Sequence, residues 1–344
     1  MTIEQIKTLI QTDPSYSFLK TNEHLGDNII LLGVGGSHAY GTNVSTSDVD
    51  IRGVATLRPV ELLSNANFEQ VCNSETDTTI YSLNKIVSLL CSCNPNTIEL
   101  LGLKPEHYLY ITDTGRMLLD NKRLFLSKLC MYSFGGYANA QLRRLSNRVV
   151  GSLPQSKQEQ HILNSIEHAR FTFPEKYSFY SDDAIRLYLD ESNSDDMDTE
   201  IFMDVHLTHY PLRDYKGMWA EMNNIVKDYG KLGHRNKNAI ARDKVGKHMM
   251  HLVRLFLMCI DILEKHEIIT YREAEHDLLM SIRNNEFLDG DGVPTAEFYN
   301  MVDALEARMQ EAVEKSTLPE KPDYKAINEL LVKINRKVVL EGGS

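Results

Sequence analysis

The sequence has few of the features that mark disulfide-linked, secreted or membrane-spanning proteins. Its 344 residues include five cysteines and one tryptophan. Cys91 and Cys93 are separated by one residue, whereas zinc knuckles use CxxC, so we expect reduced thiols rather than a metal site. No apolar run approaches the ~20 residues of a membrane helix, and the first residues lack the apolar core of a signal peptide. We therefore expect a cytoplasmic protein with no membrane partner.

Positive charge is also scarce. The chain has 37 Lys and Arg against 48 Asp and Glu, a formal net charge of −11. Such a field does not favour non-specific binding to nucleic acid or to an anionic membrane, so any contact with RNA has to rest on a local basic patch. The GxxxxGK[ST] pattern is absent, which excludes a P-loop kinase. The remaining composition, 42% hydrophobic and 25% charged, is that of an ordinary globular protein.

The most informative stretch is Asn28–Ala55. It predicts a strand over Asn28–Val34, a glycine turn at residues 35–37, and a second strand that opens with Asp48 and Asp50. On a strand, side chains two residues apart share a face. Two adjacent carboxylates raise each other's pKa unless a cation lies between them, and hard oxygen ligands suit Mg²⁺. A glycine turn beside such a pair can approach a phosphate closely, which indicates nucleotide chemistry.

A third acid follows later in the chain. Thr97–Leu101 predicts a strand in which Glu99 stands between apolar residues. One interpretation places Glu99 on a solvent-facing position. The other joins it to Asp48 and Asp50, and three carboxylates could then hold two Mg²⁺ ions about 3.5–4 Å apart, as phosphoryl-transfer sites do.

These motifs resemble a known family. The run GGSHAYGTNVSTSDVDIRG, residues 35–53, resembles the signature of the DNA polymerase β-type nucleotidyltransferase superfamily. The longer patterns GSxAYG, SDxDxRG and NPNTIELL together are most similar to the nucleotidyltransferases grouped as the RNA-repair-pathway DNA polymerase β family. The similarity extends more weakly to Tyr137–Leu145 and Lys247–Leu255.

The resemblance implies a role for each residue of the motif. Gly36 and Ser37 would hold the β- and γ-phosphates of an NTP, and Asp48 and Asp50 would bridge two Mg²⁺ ions, with Mn²⁺ as an alternative. Glu99 would bind the metal beside the attacking hydroxyl and could accept its proton. These three acids are thus the expected catalytic and metal-binding residues.

Further nucleotide contacts are expected around this core. Arg52 shares a face with Asp50 and either binds phosphate or makes an ion pair with the acids. Tyr40 either stacks on a base or sugar or packs internally. The basic segment Lys227–Arg254 is a solvated helix face or a phosphate-binding wall. Within it, Lys247 and Arg254 share one helix face with a histidine, and we predict that both cations contact the nucleotide.

Beyond residue 113 helical periodicity dominates. We therefore predict an α+β fold, with a small mixed-sheet, polymerase β-like nucleotidyltransferase domain at residues 1–113. A larger helical domain at residues 114–340 would form the other wall of the cleft. The predicted helices are Gly115–Cys130, Gly136–Arg148, Lys157–Phe171, Asp183–Leu189, Trp219–Tyr229, Asp243–His266, Tyr271–Asn284, Thr295–Lys315 and Tyr324–Val339.

The expected activity is transfer of a nucleoside monophosphate from an NTP to an acceptor hydroxyl, with release of pyrophosphate. The acceptor expected first is an RNA end, in repair or modification, with tRNA among the candidates. Two alternatives stay open: a toxin-like or regulatory transferase acting on a protein or small molecule, and a catalytically silent nucleotide-binding module. The motifs set neither the NTP nor the oligomeric state.

Overall fold

A computed structural model describes residues 1–64, 66–138, 184–192, 199–220, 222–223, 243–290 and 292–341. The chain divides into two compact units. One consists of Met1–Leu142 together with Val245–Ser344, and the other is Arg143–Lys244. This grouping differs from the predicted division at residue 113, because the C-terminal helices belong to the same unit as the N-terminal sheet. The predicted domain bounds remain a prediction about independently folding parts.

The first unit contains a five-stranded mixed sheet with the strand order β3-β4-β2-β1-β5. Strands β2 and β4 are parallel, and the other neighbours are antiparallel. The predicted α+β fold class is therefore confirmed. The strands are β1 Ile29–Val34, β2 Ile51–Ala55, β3 Gln70–Asn73, β4 Thr78–Ser82 and β5 Tyr108–Ile111.

The central strands carry the residues that lead into the site. All six residues of β1 are buried, as expected for a strand covered on both faces. In β2 every residue is buried except Arg52, which is half-buried. Ile51 pairs with Val34 of β1 and with Thr78 of β4. The end of β1 and the starts of β2 and β4 therefore meet at one edge of the sheet.

Helices surround this sheet in sequence. Short 3₁₀ turns lie between them at Glu99–Gly102, Pro105–His107 and Lys122–Phe125. Residues 129–138 are also helical. The α-helices of the first unit before residue 130 are α1 Ile3–Thr12, α2 Phe18–Thr21, α3 Gly36–Tyr40, α4 Pro59–Leu62, α5 Leu83–Cys91, α6 Pro95–Ile98 and α7 Asp113–Asp120. The later helices are α8 Asp243–Lys265, α9 His276–Arg283, α10 Ala296–Lys315 and α11 Tyr324–Glu341.

The predicted strand at Thr97–Leu101 is wrong, because these residues are helical. Helix α6 begins after Asn94, whose side chain accepts a hydrogen bond from the Asn96 amide, and Pro95 occupies the first turn. This capping pattern starts a helix. The chain continues directly into the 3₁₀ turn Glu99–Gly102. The apolar run reflects two buried helical turns rather than a strand.

Other local predictions also changed. The predicted helix Asp183–Leu189 is instead strand β6, Ile185–Glu191, which pairs antiparallel with β7, Thr199–Val205, in the second unit. Its apolar residues alternate with polar ones, the period of a strand. The predicted helix Gly115–Cys130 is shorter in the structure, because α7 ends at Asp120, ten residues before Cys130.

Some predictions lie outside the described residues. They are the helix Lys157–Phe171, the later parts of Gly136–Arg148 and Trp219–Tyr229, and the weaker basic candidates Arg143 and Arg144. Among the helices of the described ranges, none is long and apolar enough to cross a membrane. The cytoplasmic location remains a prediction.

Two helical glycines test how tightly the sheet is packed. A Cβ on Gly115 of α7 would lie 2.1 Å from the Ile30 carbonyl oxygen of β1, whereas a Cβ on Gly136 would have no neighbour within 4 Å among the residues that the structure describes. We expect Gly115→Ala to lower the free energy of unfolding by about 1–3 kcal/mol, because backbone would have to shift. Gly136→Ala should instead raise it by up to ~1 kcal/mol through helix propensity. Urea unfolding of both variants measures this, and equal effects would contradict the described packing.

Candidate active site

The turn after β1 packs directly against Asp50. The Gly35 amide donates to the Asp50 carbonyl oxygen at 2.8 Å. Gly36 begins α3 with φ +55°, and a Cβ there would lie 1.8 Å from Asp50 Oδ2. Only glycine provides both this backbone conformation and this clearance. The Gly-Gly sequence thus lets the turn that carries Ser37 lie on top of a carboxylate.

A second acid, Asp77, lies beside Asp50. Asp50 and Asp77 immediately precede Ile51 and Thr78, which are paired in the parallel β2–β4 register. The Ile51 amide donates to the Asp77 carbonyl oxygen at 3.2 Å, and the two carboxyl groups are within hydrogen-bonding reach of each other. The start of two adjacent parallel strands therefore brings these carboxylates together.

Arg52 is the cation that joins this pair. Its Nη2 lies 3.4 Å from Asp50 Oδ1 and 3.2 Å from Asp77 Oδ1. Its Nη1 donates to the Asp77 carbonyl oxygen at 2.6 Å and to the Ile51 carbonyl oxygen at 2.9 Å. Of the two predicted alternatives for Arg52, the ion pair with the acids is the contact present here. A phosphate contact remains a prediction.

The pKa values of the two carboxyl groups shift in opposite directions. Burial and the neighbouring Asp77 raise the pKa of Asp50 to about 7, and the charges of Arg52 and Lys247 oppose this rise. The pKa of Asp77 is lowered, first by the hydrogen bond from Asp50 and then by Arg52. Two close carboxylates behave in this way because one proton can serve both. One arginine is thus insufficient to keep both acids ionised through neutral pH.

Asp48 lies in the loop before β2 and is exposed. Both predicted acids therefore precede the strand rather than opening it. The Ser47 hydroxyl accepts a hydrogen bond from the Val44 amide at 2.9 Å and one from Arg283 of α9 at 3.4 Å. Arg283 is a half-buried cation beside this loop, and its position in the sequence gave no indication of this contact.

Glu99 has different surroundings from Asp50. It is buried, and its carboxylate accepts hydrogen bonds from the Tyr40 hydroxyl at 2.9 and 3.0 Å and from Arg254 Nη1 at 3.1 Å. The Arg254 guanidinium lies 3.6 Å from the centre of the Tyr40 ring. Burial raises the pKa of Glu99, and Arg254 opposes this rise. Its role as a metal ligand remains a prediction, but these contacts favour a different one.

Helix α8 contributes two cations that differ in exposure. Lys247 is exposed and its charge lowers the pKa of both Asp50 and Asp77, so it lies near them. Arg254, two turns further on, is 1% exposed and paired with Glu99. The shared helix face therefore runs from the surface into the core, and Lys247 is the better placed of the two to meet a phosphate. Residues 227–242 of the basic segment lie outside the described residues.

The donor chemistry of the Asp50–Asp77 pair fits a divalent cation. Two carboxylates lie close enough to share a proton, and exposed Asp48 is two residues from Asp50. Hard carboxylate oxygens are the ligands that Mg²⁺ and Mn²⁺ prefer. Within the described ranges, no three His, Cys, Asp or Glu side chains are grouped tightly enough to hold an ion. Asp48 would therefore have to turn inward to complete a set of three.

Asp77 was missed by sequence reasoning. It lies in the stretch Phe68–Tyr81, which mixes polar and β-branched residues and contains most of the hairpin β3–β4. The available signal was an acid at the head of Thr78–Ser82, in which buried and half-buried residues alternate. What placed Asp77 beside Asp50 was the parallel pairing of β4 with β2, which local sequence does not specify.

Comparison with known proteins agrees with the motif. Residues 10–164 match the model of the family described as RNA repair pathway DNA polymerase beta. The matched range contains the glycine turn, Asp48, Asp50, Asp77 and Glu99. No curated protein and no solved structure matches the chain.

The acid pair predicts a pH dependence of stability. Because the folded-state pKa of Asp50 is raised from 3.8 to about 7, its stabilising contribution is complete below pH 3.8 and is lost as the pH rises through 7. The lowered pKa of Asp77 acts in the opposite sense, but below pH 4. Asp50→Asn should therefore unfold at a higher temperature than the wild type at pH 8, and this gain should shrink toward pH 4.

Thermal unfolding in chelator, measured from pH 4 to pH 8, tests this expectation. Asp48→Asn is the matched control, because it removes an exposed carboxylate from the same loop. A gain for Asp50→Asn that does not change with pH would contradict the described carboxylate pair.

Proposed function

Because residues 10–164 match the model of the RNA repair pathway DNA polymerase beta family, we propose that this chain transfers a nucleoside monophosphate from an NTP to a hydroxyl at an RNA end. The family description supports a polymerase β-like nucleotidyltransferase that acts in RNA repair. The metal, the acceptor and the direction of transfer are the further parts of this proposal.

The observation that carries the proposal is the Asp50–Asp77 pair beneath the Gly35–Gly36 turn. Asp50 is half-buried beside exposed Asp77. Two like charges this close destabilise the fold, which makes the pair a candidate functional site. Here Asp50 contacts the turn expected to meet phosphates, and Lys247 supplies positive charge nearby. A nucleoside triphosphate site requires carboxylates, a glycine turn and cations close together, and this edge of the sheet has all three.

We assign the metal-holding role to Asp50 and Asp77, with Asp48 as the third candidate. Bound there, Mg²⁺ or Mn²⁺ would neutralise charge at the α-phosphate and lower the pKa of the acceptor hydroxyl. The Gly36–Ser37 turn would hold the β- and γ-phosphates, and Lys247 and Arg52 would balance their charge. Arg52 would then exchange some of its carboxylate contacts for phosphate contacts.

The proposed reaction forms one bond to the α-phosphorus and breaks another. The acceptor oxygen forms a bond to the α-phosphorus, the bond from that phosphorus to the bridging oxygen of the β-phosphate breaks, and pyrophosphate leaves. The acceptor proton is released. Glu99 is poorly placed to take it, because its carboxylate is buried and already holds Tyr40 and Arg254. Positioning and charge neutralisation are therefore the main contributions expected from the protein.

The transfer can be measured directly with labelled nucleotides. Purified protein with Mg²⁺ is incubated with total RNA and each NTP, labelled either at the α- or at the γ-phosphorus. We expect label in RNA from the α-position alone, because pyrophosphate carries the other two phosphorus atoms away. Label in added protein, in a small molecule or in none of these acceptors would overturn the RNA assignment.

Substitution of the acids should abolish this transfer. Asp50→Asn and Asp77→Asn are each expected to lower kcat by at least about 10³-fold, or ~4 kcal/mol of activation free energy. The matched control is Glu75→Gln, which changes an exposed acid in the same β3–β4 turn. Full activity in Asp77→Asn would contradict the assignment of Asp77.

A further inference from the structure

A buried polar network joins three elements of the first unit. It consists of Tyr40 at the end of α3, Glu99 in the 3₁₀ turn after α6, and Arg254 in α8. All three residues are at least 94% buried, since their exposed fractions are 5%, 6% and 1%. Its hydrogen bonds join residues that are 59 and 155 positions apart in the sequence. Such a network fixes the relative positions of the elements that supply it.

The network acts on a very short helix. α3 has five residues, from Gly36 to Tyr40, which corresponds to a length of about 7 Å at the usual rise. Tyr40 anchors one end of it, and at the other end Gly36 lies against the Asp50 carboxylate. A helix this short has little internal freedom to absorb a displacement of Tyr40.

Residues 270–272, which follow α8 and which we call the strap, hold the C-terminal end of α3. The Arg272 amide donates to the Tyr40 carbonyl oxygen at 3.2 Å, and the Thr270 hydroxyl donates to the Glu99 carbonyl oxygen at 2.6 Å. Gly41, with φ +77°, is covered by the Tyr271 ring, which a Cβ there would approach to 2.5 Å. Arg272 is itself buried and paired with Asp261 of α8. The strap, residues 270–272, therefore connects both Tyr40 and Glu99 to α8.

We propose that Glu99 and Arg254 are positioning residues, which hold Tyr40 and thereby set the contact of the glycine turn with the Asp50–Asp77 pair. The effect on catalysis rests on the proposed function, but the positioning of α3 does not. Glu99 then acts at a distance from the reacting atoms and is not a metal ligand. Arg254 likewise acts through Glu99 and the Tyr40 ring rather than on a phosphate.

The charge balance of the network supports this role. Both Glu99 oxygens accept from Tyr40, and one also accepts from Arg254. One carboxylate and one guanidinium in contact leave no surplus negative charge for a cation. The Asp50–Asp77 pair has the opposite balance, with two carboxylates around one arginine. A divalent ion is therefore expected to select the second group.

Two conservative variants separate positioning from metal binding. Tyr40→Phe removes only the hydroxyl that reaches Glu99, and Glu99→Gln preserves side-chain volume while removing the charge. The matched control is Tyr16→Phe, a buried tyrosine outside the network. Amide hydrogen exchange of residues 36–41, in metal-free protein, is measured first. Mn²⁺ affinity is then measured by calorimetry, at a temperature where every variant is folded.

Positioning predicts that the two variants resemble each other. Each should accelerate exchange at residues 36–41 and weaken Mn²⁺ binding by roughly tenfold, the size expected for losing a hydrogen bond to a charged group. The double variant should add little to either single one, because both break the same link. Tyr16→Phe should leave both measurements unchanged.

A direct metal-binding role for Glu99 predicts a different pattern. Glu99→Gln would then weaken Mn²⁺ binding far more than Tyr40→Phe, and this result overturns the proposal. Unchanged exchange and Mn²⁺ affinity in both folded variants would also overturn it. Failure of the wild type to bind Mn²⁺ or transfer nucleotide counts against the proposed function instead, and the exchange measurement still decides whether the network positions α3.

Discussion

The burial of the Glu99 carboxylate is the constraint on which the arrangement of the first unit depends. A lone charge in an apolar interior is strongly unfavourable, so Glu99 needs a cation and further hydrogen bonds. Arg254 supplies the cation from α8, and Tyr40 supplies the hydroxyl from α3. Removing Arg254 would leave the Glu99 carboxylate as an unpaired buried charge, which typically costs about 3–5 kcal/mol. One carboxylate thereby joins a C-terminal helix to the helix that follows β1.

The acids at the sheet edge have the opposite charge balance, because their negative charge is only partly neutralised. Asp50 and Asp77 are brought together by the parallel pairing of β2 and β4, and Arg52 balances only one of their two charges. The raised pKa of Asp50 records the imbalance. A fully balanced pair is inert toward cations, whereas an unbalanced pair attracts them. The two groups of charged residues therefore differ in charge balance: Glu99 is neutralised in the core, whereas the Asp50–Asp77 pair has surplus negative charge.

α3 connects these two groups over one and a half helical turns. Its first residue contacts Asp50, and its last contacts Glu99. The glycines at both ends allow this connection, since Gly36 clears the Asp50 carboxylate and Gly41 clears the Tyr271 ring. These contacts join α8, from Val245 onward, to the unit that contains the sheet. A five-stranded mixed sheet completed by C-terminal helices is the architecture that results.

Local sequence determined the strand–turn–helix around Gly35–Ser37 and the presence of Asp48 and Asp50, because apolar runs and glycine turns act over a few residues. It also indicated the α+β class and the family. It did not determine which third acid joins Asp50. The spacing favoured Glu99. However, Asn94 caps a helix that leads Glu99 into the core. The pairing of β4 with β2 places Asp77 beside Asp50 instead. Likewise Lys247 and Arg254 have the same charge and share a face of α8, yet only Lys247 is exposed. Burial and strand pairing join residues far apart in the chain, so only the tertiary structure could decide which of these residues lie together and which are exposed.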